Sequence, residues 1–228
     1  MDWIHNFDLF LFDFDGLLVD TEPLHFKAYQ MMCQNRGYSL PWTLETFCAI
    51  SHSDGPNLRN SIYELFPSLQ KEAPNWETLR KEKNQAYFEL IKTVPLSLMP
   101  GVTPLLEKLS HHQKKRCVVT NSTLEQVSFI RKNNPILDLI PLWFTRETYQ
   151  EAKPSPDGYL KALQTLRQEG DRVIGFEDSL KGYEALKQAN IKTPLLICPS
   201  NHPQLELTKA KGALHFSDFF AIPLHFCN

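Results

Sequence analysis

Residues 9 to 25 read LFLFDFDGLLVDTEPLH. The apolar run Leu9-Phe10-Leu11-Phe12 shows no alternation, which is the pattern of a strand covered on both faces inside a parallel sheet. Two carboxylates, Asp13 and Asp15, follow at once. A buried carboxylate costs several kcal/mol unless something pairs with it. The acids therefore belong at the edge of a sheet, holding a partner, and the strand at 7 to 12 must be one of several.

The rest of the chain supplies them. Residues 22 to 37 read as a helix, with Leu24, Ala28, Met31 and Met32 on one face and Gly37 as its stop. A polar stretch, SHSDGPN at 51 to 57, precedes a short helical piece ending near Phe66-Pro67. The segment 76 to 93 is the longest periodic one, with Trp76, Leu79, Tyr87, Leu90 and Ile91 at helical spacing. From Met99-Pro100-Gly101 onward, helical stretches alternate with short apolar runs at 116–120, 142–144, 172–176 and 194–198. Strands alternating with helices predict an α/β fold: a Rossmann-like parallel sheet with helices on both faces. The expected organisation is a discontinuous α/β core, 1–20 and 97–228, interrupted by an all-helical insert at 21–96.

Composition narrows the function classes. The formal net charge of −2 argues against nucleic-acid or membrane-surface partners. Cys33, Cys48, Cys117, Cys198 and Cys227 are scattered with no CxxC spacing, as expected of reduced thiols in a cytoplasmic protein rather than disulfides or metal ligands. The N-terminus shows no basic region before an apolar stretch, so no signal peptide is expected. No apolar run approaches the roughly 20 residues of a membrane span.

In open α/β sheets, ligands collect beyond the carboxyl ends of the strands. The strand at 116–119 runs into Thr120-Asn121-Ser122, and that at 172–176 into Glu177-Asp178-Ser179. Between them, Lys153 sits in the turn KPSPD. Each has a bland reading alone: Thr120 or Ser122 as a helix N-cap, Asp178 as the cap of the next helix, Lys153 as a solvated lysine. Asp20 and Asp157 keep that reading, as turn or helix-start acids. The joint placement is what the bland readings leave unexplained. Clustered carboxylates ask for a hard cation, and Mg²⁺ accepts carboxylates together with a phosphate oxygen. A lysine and a hydroxyl can neutralise the remaining phosphate oxygens. With no Walker-type loop and no Cys–His pair, a carboxylate is the available nucleophile.

Asp13-Phe14-Asp15-Gly16, Thr120, Lys153-Pro154 and Glu177-Asp178 resemble, in order and spacing, the four motifs of the haloacid dehalogenase superfamily. VDTEPLH, VVTNS, KPSPDGYL and GFEDSLKG look like its branch with a helical cap, which holds β-phosphoglucomutase and sugar-phosphate phosphatases. The resemblance implies Asp13 as nucleophile and metal ligand. It implies Asp15 as general acid–base, with its main-chain carbonyl on Mg²⁺, and Thr120 and Lys153 as phosphate binders assisted by Asn121. Asp178 completes the metal shell, with Glu177 either a ligand or a partner of one. Gly16 permits the bend that lets both aspartates face one ligand. Haloacid dehalogenases share the first aspartate but lack the second and use no metal, so Asp15 points to phosphoryl transfer.

Two phosphoryl transfers stay open. His25 falls where β-phosphoglucomutase has a histidine near the second aspartate, and Lys83-Asn84 aligns with its phosphate-binding pair, although the charged helix around Lys83 reads as solvated. Against the mutase, its cap-loop arginine is replaced by His52, a mostly neutral side chain, in the longer loop 49–56. Trp42, Trp76 and Tyr87 are candidates for a cap pocket or for its core. Closure of the cap is expected about hinges at 18–21 and 96–101. The expectation is a monomeric Mg²⁺-dependent phosphatase for a small phosphorylated metabolite, with the mutase as the alternative. A phospho-receiver domain is shorter, has no insert and places its aspartate on a middle strand. A silent binding protein would not need these intact motifs.

Overall fold

The computed structural model describes residues 1–53 and 57–226. Asp54, Gly55 and Pro56 of the cap loop, and Cys227, lie outside the described residues. Six parallel strands form one sheet: β1 (Leu9–Phe12), β2 (Lys115–Val119), β3 (Leu142–Phe144), β4 (Val173–Glu177), β5 (Thr193–Ile197) and β6 (Leu214–Phe216), in the order β3-β2-β1-β4-β5-β6. The chain builds outward from β1 on one side, then returns to add β4 on the other. The carboxyl ends of β1, β2 and β4 therefore meet where the winding reverses, the place where such sheets bind ligands.

The apolar run behaves as its lack of alternation predicts. Phe10 and Phe12 face one buried layer and Leu9 and Leu11 the other. Phe12 stacks on Phe176 of β4 at 4.9 Å, and Phe219 packs edge-on against both rings. Helices α6 (Val102–His111), α7 (Leu124–Asn133), α8 (Asp157–Leu166), α9 (Leu180–Gln188) and α10 (Leu205–Ala210) complete this part of the molecule. The edge strand β6 was not evident in the sequence: in Leu-His-Phe a histidine interrupts the apolar run that makes the equally short β3 visible.

Between β1 and α6 lie α1 (Glu22–Asn35), α2 (Leu44–Ser51), α3 (Asn57–Leu65), α4 (Pro67–Glu72) and α5 (Trp76–Thr93). The sequence reading missed α2 and α4: Pro67, near which it ends the short helical piece, opens a new helix. Met32, Cys33, Ile62, Leu69 and Leu79 form a separate apolar cluster, and Trp42 and Trp76 pack against it. The Arg36 guanidinium grips Glu82 through two bonds, at 2.8 and 2.5 Å, tying the end of α1 to α5. Tyr87 and Ile91 of α5 belong instead to the core beneath, with Phe14 and Leu17. The tryptophans and Tyr87 are thus core residues.

The two connecting segments run side by side. Asp20 N–H donates to Ser97 O at 2.9 Å and Met99 N–H to Leu18 O at 3.0 Å, with Val19 bridged to Leu98. Cys33, Cys48, Cys117 and Cys198 are free and buried. Among the described residues no helix is long and apolar enough to cross a membrane.

The Phe12–Phe176–Phe219 stack carries both β1 and β4, the strands that present the acids. Phe176→Ala should destabilise the fold by about 3–5 kcal/mol, read as a lower midpoint in urea unfolding. An unchanged midpoint would contradict the stack's role.

Candidate active site

Asp13 follows β1 directly, and its N–H donates to Phe176 O at 3.0 Å, extending the β1–β4 pairing to the strand tip. Gly16 then turns the chain back at φ +75°, and its N–H donates to Val19 O at 2.9 Å. A Cβ there would lie 2.3 Å from Asp178 Oδ2, so only glycine fits between the two strand ends.

The bland readings of the strand-end residues fail because neighbours take those duties. Thr123 caps α7 in a reciprocal box with Gln126, which leaves Thr120 and Ser122 free for other partners. Ser179 caps α9 through Gly182 N–H, which leaves Asp178 free. Asp157 does keep its helix-start role, accepting from Glu151 N–H and Ser155 Oγ at the opening of α8.

Lys153 is buried, and its ammonium donates to Asp13 Oδ1 at 2.5 Å, Glu177 Oε1 at 2.6 Å and Val119 O at 2.7 Å. The Tyr159 hydroxyl also donates to Glu177 Oε1. Burial disfavours the lysine's charge, but Asp13 and Glu177 outweigh it and hold the ammonium firmly protonated. Asn121 Oδ1 accepts from Lys153 N–H at 3.1 Å and from Tyr149 OH at 2.9 Å, so this side chain fixes the lysine's turn.

Asp15 has a different environment. Its Oδ1 accepts from Thr21 Oγ1 at 2.9 Å and meets His25 Nε2 at 3.2 Å; its Oδ2 accepts from Ser122 Oγ at 2.6 Å and Thr120 Oγ1 at 3.1 Å. Burial pushes its carboxyl up, but the bonds and charge from His25, Ser122 and Thr21 overcome this and hold it well below the usual carboxylate range. By contrast burial and Glu177 push Asp13 well up, against Lys153. Two aspartates two residues apart are thus driven in opposite directions.

Behind His25 stands Lys83. Its Nζ lies 2.8 Å from His25 Nδ1, so the ammonium donates there and leaves the imidazole N–H on Nε2, aimed at Asp15. His25 stacks flat on Tyr87 at 4.1 Å. The expectation of a solvated Lys83 is corrected: the side chain is 6% exposed, covered by the rings of Tyr29 and Tyr87. Burial lowers its pKa to about 8, with Asp15 and Glu22 opposing.

Sequence reasoning missed Glu22. It carries its charge down to a pKa of about 2: burial works against the anion, and His52 and its hydrogen bond more than compensate. His52 Nε2 lies 3.0 Å from Glu22 Oε2 and its Nδ1 3.0 Å from His202 Nε2. His52 is buried with both nitrogens engaged. Burial depresses its proton affinity, and Glu22 raises it beyond that of an ordinary histidine. Asp13, Asp15, Glu22, His25, His52, Lys83, Thr120, Asn121, Ser122, Lys153, Glu177 and Asp178 line one cleft of about 320 Å³, with Tyr29, Phe47, Leu58, Arg80 and Asn84 on the side of the insert.

A divalent cation suits the cluster. Ligand atoms of Asp13, Glu177 and Asp178 lie within 4.8 Å of one another. Glu177 Oε2 is buried with no hydrogen-bond partner among the described residues, and burial lifts Asp178 to about 7 against His52. Both are signs of anions missing a counter-charge, and the all-oxygen donor set is that of a hard cation.

The model of the haloacid dehalogenase-like hydrolases matches residues 10–195, a span that includes every strand-end residue above. The chain belongs to this family. It is an enzyme, a phosphatase or a phosphotransferase. Protein CbbY of Rhodobacter capsulatus is 25% identical over 195 residues, covering 84% of this chain and 85% of its own. A phosphorylated carbohydrates phosphatase of Thermotoga maritima is 27% identical over 185 residues, covering 80% of this chain and 81% of its own. The crystal structure of CbbY from Rhodobacter sphaeroides with xylulose-(1,5)bisphosphate shares the fold at a TM-score of 0.74 and 22% identity, over 95% of this chain and 96% of that one.

Lys83 loses its proton as pH rises through about 8, and with it the charge that orients His25. Activity is expected to fall on that alkaline limb. Lys83→Met should remove the limb and cost roughly tenfold or more in kcat/KM, the scale of one hydrogen bond to a charged group. A limb that persists in Lys83→Met would refute the assignment.

Proposed function

We propose that the chain is a Mg²⁺-dependent phosphatase for a small phosphorylated carbohydrate, working through an aspartyl-phosphate at Asp13. The observation that carries this reading is the pairing of Asp13, gripped by Lys153 beside Glu177, with a second aspartate held ionised by four donors. The 27% identity to a phosphorylated carbohydrates phosphatase supports the substrate class.

Asp13, Asp178 and Glu177, with the Asp15 carbonyl expected to join them, would hold Mg²⁺, which screens the crowded carboxylates and draws charge from the phosphoryl oxygens. Asp13 attacks phosphorus, forming the carboxylate–phosphorus bond as the ester bond to the sugar oxygen breaks. Asp15 gives that oxygen a proton. It then takes one from the water that hydrolyses the phosphoaspartate, restoring both acids. Asp15 must therefore be protonated for the first step, although its four donors hold it ionised before substrate arrives. Thr120 and Ser122 resolve this: their hydroxyls rotate freely, and turning to the incoming phosphate removes two of the four bonds. Substrate binding thereby raises the proton affinity of Asp15 when a proton is needed. Lys153 stays beside the transferring group, where its positive charge stabilises the phosphoryl oxygens.

The mutase reading needs a grip on a second phosphate. Buried Lys83 faces the cleft and favours it, but His52, in the place of the mutase arginine, spends both ring nitrogens on Glu22 and His202. A single phosphate suits this cleft better. The cap loop's residues 54–56 lie outside the described residues.

The test is phosphate release from a panel of sugar phosphates, nucleotides and small acids with Mg²⁺ or EDTA. It includes β-glucose 1-phosphate with a trace of the 1,6-bisphosphate, following glucose 6-phosphate in parallel. Release with one preferred sugar phosphate, abolished by EDTA, is expected. Isomerisation without net release would establish the mutase. Asp13→Asn should lower turnover on the order of 10⁴–10⁶-fold while leaving the circular-dichroism spectrum unchanged.

A further inference from the structure

A chain of polar contacts leaves the cleft through Glu22. The Gln204 N–H donates to His202 Nδ1 at 3.3 Å, His202 Nε2 meets His52 Nδ1 at 3.0 Å, and His52 Nε2 meets Glu22 Oε2 at 3.0 Å. His202 and Gln204 come from the segment between β5 and α10; His52 closes α2 and Glu22 opens α1. The chain thus crosses from the sheet to the helical insert.

Its direction follows from counting protons. A neutral imidazole has one N–H and one lone pair. Burial lowers His202 to about 4, so it is neutral at pH 7. Its Nδ1 accepts from the Gln204 backbone, so its proton sits on Nε2 and is donated to His52 Nδ1. With its Nδ1 occupied by that N–H, His52 is closed to a second proton, so the pull of Glu22 acts on the one proton His52 keeps, on Nε2, which it gives to Glu22. A backbone N–H of the sheet side therefore selects the tautomer of both rings. Glu22 Oε2 is held by this chain, and Oε1 remains for the cleft.

The segment carrying His52 is fastened to the same side by three more bonds. Lys181 N–H donates to His52 O at 3.2 Å, Lys181 Nζ to Ser51 O at 2.9 Å, and Gln204 Nε2 to Ala49 O at 2.6 Å. All three join the insert to the sheet side of the molecule.

We propose that His202 is a positioning residue for substrate recognition: through His52 it aims Glu22 at a hydroxyl of the non-reacting part of a polyhydroxy phosphate ester, and does so only in the closed form. The inference rests on the phosphatase reading above and assigns its selectivity to a residue outside the cleft. A carboxylate turned away by a few tenths of an ångström loses a charge-assisted bond to the substrate hydroxyl, whereas an ester with no hydroxyl loses nothing at that point.

Two measurements on the full chain separate the possibilities. Nitrogen-15 NMR of the histidines at pH 7 should show His52 as the Nε2–H tautomer, and His202→Ala should release it to a mixture. Kinetics should compare the preferred sugar phosphate with p-nitrophenyl phosphate, which carries no hydroxyl. In His202→Ala the ratio of the two kcat/KM values should fall about tenfold. His202→Gln, whose amide can donate to His52 Nδ1, should recover most of it. An Nδ1–H or doubly protonated His52 in the parent chain, or a ratio that His202→Ala leaves unchanged, overturns the inference. The tautomer is read without turnover, so a chain that releases phosphate from no ester contradicts the phosphatase reading and leaves the tautomer result to judge the relay.

Discussion

The site depends on holding several carboxylates together, and Lys153 does most of that. Asp13 and Glu177 emerge from adjacent strands with the same charge, and in a buried setting their repulsion would force a proton onto one or push the strand ends apart. One ammonium bonded to both, and to the carbonyl of Val119 at the end of β2, lets the three strand ends converge. Asn121 and Tyr149 position the lysine's turn, and Tyr159 supports Glu177 from the other side. Glycine at 182 is part of the same arrangement, since a Cβ there would meet Glu177 Oε2 at 1.9 Å.

A second design element is the use of histidine as a directed link. Lys83 sets the tautomer of His25, which faces Asp15; Gln204 sets that of His202 and, through it, of His52, which faces Glu22. The first link runs within the insert from Lys83 and ends on Asp15. The other runs from the sheet side to the insert's carboxylate. In the proposed reading, closing the insert therefore completes both ends of the cleft together: the acid–base is oriented from above and the selecting carboxylate from below. In that reading water is excluded from the cleft by the same closure.

Much of this was legible in the sequence, for a physical reason. Residues that do chemistry in a parallel sheet sit just past apolar runs, so Asp13, Thr120 and Glu177-Asp178 announced themselves by position, and Lys153 by its rigid turn. The ordered motifs then carried the family. What stayed hidden depended on burial or on contacts between distant segments. Lys83 lies among Arg80, Lys81 and Glu82, and nothing in that run tells which charged side chain turns inward. Thr120 and Thr123 look alike on paper; only the backbone decides that Thr123 caps the helix. Glu22, His52 and His202 are 30 and 150 positions apart, and no local pattern joins them. Strand β6 was missed because a histidine interrupts its apolar run, and helices α2 and α4 because each is too short for its period to rise above neighbouring turns.

The central claim is that Asp13 becomes covalently phosphorylated. The direct measurement is to quench the enzyme during turnover of its preferred ester, reduce with borohydride and map the peptide that holds residues 9–25. A phosphoaspartate is reduced to homoserine, whereas a free carboxylate is not. The account predicts homoserine at position 13 and intact aspartate at position 15. Unmodified Asp13 in an enzyme quenched at its full steady-state rate, under conditions that trap an authentic acyl phosphate, would contradict it.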